Sequence, residues 1–147
     1  MSLNCQSLRP KINQIRLYIE SLKQQNFSFD AVRLQETWLG KDEDISSLTL
    51  QDYEMIHKGK SVSAHGGLLI YLKHQYQYTE LTDISTNFSD WEYLFIKIRT
   101  TKRENNLIID NVYRLPRDTK DHYNRFLQEF TGIFQKLEYE SKNLIIS

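Results

Sequence analysis

A chain of 147 residues, 39% hydrophobic and 26% charged, can build one domain with a real core but is too short to suggest two, and it is not of the disordered class. Lys+Arg and Asp+Glu are both 19, so the chain lacks the basic excess by which a stand-alone nucleic-acid binder is usually known. The single cysteine, Cys5, excludes an internal disulfide and a thiolate metal cluster; it makes a reducing, intracellular compartment the default, and no apolar run approaches the roughly 20 residues that cross a bilayer.

Leu3 to Leu8 reads as a brief strand running into the start of a helix. Pro10 suits a first helical turn, and Ile12, Ile15, Ile19 and Leu22 then recur on one face, which predicts a helix to about Gln25. Ala31 to Leu34 is a short buried strand, followed by an acidic loop from Gly40 to Ser47. Tyr53 to His57 is a strand, and Ser61 to Gly67 a turn centred on His65-Gly66-Gly67. The continuous apolar run Leu68 to Leu72 predicts a strand covered on both faces. Gln75 to Thr79 alternates polar with aromatic; Tyr93 to Ile98 and Leu107 to Tyr113 are strands joined by a polar turn from Thr100 to Asn106. A second helix carries the stripe Tyr123, Phe126, Leu127, Phe130, Ile133, Phe134 and Leu137, with Asp118 or Thr119 as its cap. Asn143 to Ser147 opens another buried strand, an odd place for a domain to stop, so the chain is expected to continue in a longer parent.

Three strand ends hold residues with chemistry. The amide of Asn4 can offer its oxygen to a hard cation or its NH₂ to a phosphate, or simply make an Asx turn before the helix. Glu36, in Leu34-Gln35-Glu36-Thr37-Trp38-Leu39, ends an apolar strand, where a divalent cation or a rim Lys or Arg would offset its charge. Tyr113 and Arg114 end another strand; the hydroxyl and guanidinium can bond a phosphate, or the tyrosine is a core residue with a wet hydroxyl. Each sits where a strand gives way to a loop, the usual ligand edge of an open α/β sheet.

In this order, Leu3-Asn4-x-x-Ser7-Leu8, Asp30-Ala31-Val32-x-Leu34-Gln35-Glu36-Thr37-Trp38-Leu39, His65-Gly66-Gly67-Leu68-Leu69-Ile70-Tyr71 and Val112-Tyr113-Arg114-x-Pro116 resemble the endonuclease/exonuclease/phosphatase superfamily. The set is most similar to the endonuclease domains of LINE-type (non-LTR) retrotransposon polyproteins, over nearly the whole chain. The resemblance implies an α/β fold, the DNase-I-like four-layer sandwich, with residues 1–147 as a partial domain truncated before its C-terminal portion. It implies Asn4 and Glu36 as holders of Mg²⁺ or Mn²⁺, Glu36 being the direct ligand, Tyr113 on the scissile phosphate, Arg114 on the substrate, and Glu92 in support. DNA is the implied partner, and a nuclear location follows if the parent element is active. Arg33 departs from the family's apolar residue, which puts the packing of that strand face in question. The family's later Gly-Asp-x-Asn and Ser-Asp-His motifs are not in this sequence. His57, His65, His74 and His122 match no motif and read as surface or loop histidines. Two other readings stay open: a phosphoesterase of the same fold acting on a small phosphoester, and a non-catalytic retroelement-derived module. Loss of part of the second sheet would leave an apolar face and a bare strand at Leu144 to Ile146, so self-association is expected.

Overall fold

A computed structural model describes residues 1–60, 65–82, 84, 91–99, 106–114 and 119–140. The expectations for the turn at 100–105, for Pro116 and an Asp118 cap, and for the strand at 143–147 lie outside those residues. The chain divides into two compact units, Met1–Gln75 and Tyr76–Ser147. Each has its own sheet.

The first unit opens with β1 (Ser2–Asn4), crosses through α1 (Ile12–Gln24), and returns as β2 (Ala31–Gln35), parallel to β1. A parallel pair needs such a crossover, and a helix supplies it. A 3₁₀ turn at Ser46–Leu48 precedes β3 (Tyr53–Lys58) and β4 (Leu68–Lys73), and the sheet order is β1-β2-β4-β3. Ile12, Ile15 and Ile19 of α1 are buried with Val32 and Leu34 of β2, and Leu69 and Tyr71 of β4. Tyr71 is wholly buried, which raises its pKa, and its hydroxyl donates to the Leu48 carbonyl. Leu68, Ile70 and Leu72 alternate to the other face of β4 and are buried as well, as the continuous apolar run predicts. Arg33 is half-buried on that side and leaves Val32 and Leu34 to carry the face under α1. Pro10 lies in the turn just before α1. At its other end Asn26, at φ 57°, and Phe27 donate to Lys23 O and Leu22 O at 2.9 and 3.0 Å, a Schellman close with asparagine in glycine's usual place.

The second unit pairs β5 (Tyr78–Glu80), β6 (Trp91–Arg99) and β7 (Asn106–Arg114) antiparallel in that order, and α2 spans Lys120–Glu140. Trp91, Tyr93 and Phe95 alternate to one face of β6, where they form a core with Ile133 and Leu137 of α2. Phe126 and Phe130 join that core, stacked 5.4 Å apart. Leu94, Ile96 and Ile98 on the opposite face are also buried. The α2 stripe is not buried throughout, since Tyr123 and Leu127 are exposed. Among the described residues no helix is long and apolar enough to cross a membrane.

Gly67 ties the end of β2 to the start of β4. It adopts φ +86°, accepts the Thr37 N–H at 3.1 Å, and leaves so little room that an added Cβ would stand 2.5 Å from Thr37 Oγ1. Gly67→Ala is therefore expected to destabilise the fold by about 2 kcal/mol or more, from left-handed strain plus overlap. Thr37→Ala should recover part of that loss, the overlap but not the strain. Denaturant melts of the two single variants and the double variant measure the coupling; strict additivity would show that the two side chains do not compete for that space.

Candidate functional site

The register of the first sheet sends four chain ends to one edge. Asn4 pairs with Gln35 and Gln35 with Leu68, which in turn pairs with Lys58. The loops after β1, β2 and β3 and the segment before β4 therefore gather together, at the carboxyl ends of the parallel pair. Backbone hydrogen bonding continues past the strands: Cys5 N donates to Gln35 O at 2.9 Å, Ser7 N to Glu36 O at 2.8 Å, and Leu8 N to Thr37 O at 3.0 Å.

This pairing brings Asn4 and Glu36 into contact, with Asn4 Nδ2 donating to Glu36 Oε1 at 2.6 Å. Asn4 Oδ1 accepts the Gln6 N–H at 3.3 Å, so the asparagine makes an Asx turn and orients the carboxylate with one side chain. The rim ion pair considered for Glu36 is not found: among the described residues no Lys or Arg pairs with its carboxylate. Lys11, in the turn leading into α1, donates instead to the carbonyls of Cys5 and Gln6. Cys5 is buried and its thiol is pushed up to about 11, chiefly by desolvation, so it stands beside the pair as a neutral group.

Both loops are bent into left-handed backbone by residues other than glycine. Gln6 and Ser7 have φ 43° and 81°, and Glu36 and Trp38 have φ 53° and 59°. Such a conformation costs an L-residue about 1–2 kcal/mol, and it concentrates at sites where surrounding bonds enforce it. Here the enforcing bonds include Trp38 N to Gly66 O at 2.9 Å and Lys60 N to Leu39 O at 2.9 Å. Farther along the loop Arg9 Nε donates to Glu43 Oε1 at 2.7 Å, and Gly40 N to Glu43 Oε2 at 2.7 Å. The Gly40 bond first, and Arg9 second, hold the Glu43 carboxyl below its usual range.

In the second unit Tyr113 is buried near the end of β7, directly opposite Glu92 on β6. Arg114 places its guanidinium 5.9 Å from the ring centres of both Tyr123 and Phe126 of α2, a cation–π arrangement. Two histidines differ from the surface-or-loop reading. His57 lies half-buried on β3, where desolvation lowers its pKa, and His122 sits on α2, 5.8 Å from the Trp91 ring.

A contact that sequence reasoning missed is Trp38 against His65, with ring centres 5.1 Å apart and planes at 63°. The glycine pair marked a turn there, but only the Trp38 N–H bond to Gly66 shows which loop the turn meets.

No protein-family model matches the sequence, and no curated protein matches it either. Solved structures do. The endonuclease domain of TRAS1, a telomere-specific non-LTR retrotransposon, superposes with a TM-score of 0.62 at 15% identity, over 99% of this chain and 55% of its own. A 3'-5' exonuclease from Neisseria meningitidis gives 0.61 at 15% identity, over 99% and 54%. The AP endonuclease of Leishmania major gives 0.58 at 16%, over 76% and 38%. The chain thus spans about half or less of the length of the structures it resembles. These likenesses agree with the motif resemblance on one point, the architecture: the chain has a DNase-I-like fold.

Proposed function

We propose that this chain supplies the metal-holding part of a divalent-cation-dependent phosphodiesterase that nicks DNA, as in a non-LTR retrotransposon endonuclease. The observation that carries the reading is the Asn4–Glu36 pair, 2.6 Å apart where two parallel strands end. A carboxylate fixed there without a basic partner among the described residues suits a cation. Its donor chemistry fits Mg²⁺ or Mn²⁺: hard oxygens, few protein ligands, and positions left for water and a substrate phosphate. Glu36 is assigned to hold the ion directly, and Asn4 to help hold it by orienting that carboxylate. When bound, it would polarise the phosphate and lower the pKa of a water. Tyr113 is assigned a hydrogen bond to a phosphate oxygen, and Arg114 an electrostatic contact with the substrate strand. DNA as substrate is supported by the nuclease activities named for the structural neighbours.

The metal assignment is tested by titrating the chain with Mn²⁺ and following NMR signals. Broadening is expected first at Glu36 and Asn4, with weak affinity, and Glu36→Gln should remove it. Broadening centred instead on Asp42 to Asp44 would show the assignment to be wrong; there Glu43 and Asp44 already accept bonds from Gly40 and Ser46.

A second expectation concerns turnover. The sequence holds no Gly-Asp-x-Asn and no Ser-Asp-His segment, so these 147 residues do not supply the groups assigned in the resembled family to activate water and stabilise the transition state. Plasmid incubated with Mg²⁺ and this chain should stay supercoiled, and a longer chain carrying both motifs should nick it. Nicking by the 147 residues that survives repurification and is lost in Tyr113→Phe or Glu36→Ala would refute this division of labour.

A further inference from the structure

Trp38 is less buried than the residues on either side of it. Its neighbours Thr37 and Leu39 are each 1% exposed, whereas Trp38 keeps 36% of its surface in solvent. The backbone that presents it is held at φ 59°, with its N–H on Gly66 O. His65, also exposed, stands edge-on to the indole. Two aromatic rings are thus fixed at the surface, one of them two residues beyond Glu36 and anchored on either side by buried neighbours. The main chain is held on both flanks and at the Trp38 N–H, and the His65 ring packs against the indole, so the ring is partly ordered before any contact outside the chain.

Resting on the phosphodiesterase reading above, we propose that Trp38 and His65 form a stacking platform for an unpaired nucleobase of the strand held at Asn4 and Glu36. The substrate class is then DNA that is single-stranded or has a base splayed out beside the cut, rather than duplex read through its grooves. A closed duplex offers a protein base edges and phosphates, while its base faces are used up in its own stack. An aromatic ring face gains most from a base that has left that stack. Stacking of this kind depends on neither charge nor sequence.

The test needs neither metal nor catalysis. The full chain in EDTA is titrated with a short oligothymidylate, and with an abasic deoxyribose-phosphate oligomer of the same length. Trp38 reports directly, because the other tryptophan, Trp91, is 2% exposed and gives a shielded background. The oligothymidylate is expected to quench the Trp38 emission and the abasic oligomer is not. Trp38→Leu should weaken oligothymidylate binding, followed by anisotropy of a labelled strand, about 5- to 150-fold, which corresponds to about 1–3 kcal/mol. Trp38→Phe should keep most of the affinity. Equal binding of the abasic oligomer, absence of quenching, or unchanged affinity in Trp38→Leu overturns the platform. Quenching that persists in a chain with no Mn²⁺ site at Glu36 upholds the platform while sinking the nuclease reading. A Mn²⁺ site at Glu36 without quenching does the reverse.

Discussion

Asn4 and Glu36 meet because β1 and β2 run parallel in one register, and the backbone bonds that fix this register do not stop where the strands do. β1 is only three residues long and exposed, so its own burial contributes little. It is held by the ladder to β2, by Cys5 and Leu8 buried just beyond it, and by the bonds from Cys5, Ser7 and Leu8 to Gln35, Glu36 and Thr37. A slip of one residue would turn the Asn4 side chain to the opposite face of the sheet and break its bond to Glu36. The same bonds force Gln6, Ser7, Glu36 and Trp38 into left-handed backbone. The strain and the site therefore have one cause: two chains kept in hydrogen-bonding distance while both turn away from the sheet.

Much of the scaffold is legible in the sequence because it depends on local period. The isoleucines of α1 recur at helical spacing and are the residues buried against β2 and β4. The unbroken run from Leu68 is buried on both faces. Where pairing is non-local the reading falls short. β6 starts at Trp91, ahead of Tyr93, because its ladder to β7 reaches Arg114, and a register of that kind has no periodic signature within either strand. β5 covers Tyr78–Glu80, paired with Ile96 to Ile98 of β6, and so takes in only the end of the alternation from Gln75 to Thr79. The helical stripe of α2 shows which residues share a face but not how much of that face is covered, so Tyr123 and Leu127 stay exposed.

The candidate residues of each unit divide along the same line. Asn4, Glu36 and Tyr113 can be singled out because each sits at a strand end in a recognisable run of residues. The fork of Asn4 between the Gln6 N–H and the Glu36 carboxylate cannot, because it needs two strands in contact. The meeting of Trp38 with His65 is less legible still. It depends on a main-chain bond to a glycine carbonyl in a distant loop; Trp38 enters the sequence reading only through the Glu-Thr-Trp run, and His65 only as a surface or loop histidine.

The choice of asparagine as the partner of Glu36 has an electrostatic consequence. Three other carboxylates of the first unit show what a strong partner does. Asp52 is lowered first by its hydrogen bond to Lys23, Asp44 by the Ser46 N–H, and Glu43 by the Gly40 N–H and then Arg9. Lys23 at Asp52 and Arg9 at Glu43 bring a positive charge as well as a hydrogen bond, whereas the Ser46 N–H at Asp44 brings a hydrogen bond alone. Asn4 gives Glu36 a neutral donor, which orients the carboxylate without neutralising it. A Lys or Arg at position 4 would reach the same oxygen and would also occupy the electrostatic role of a bound cation. The nearby groups keep clear in the same way: Cys5 is neutral because burial raises its pKa, and Lys11 is committed to two main-chain carbonyls. Orientation is separated from charge compensation at this strand end: the bond from Asn4 directs the carboxylate and brings no positive charge with it.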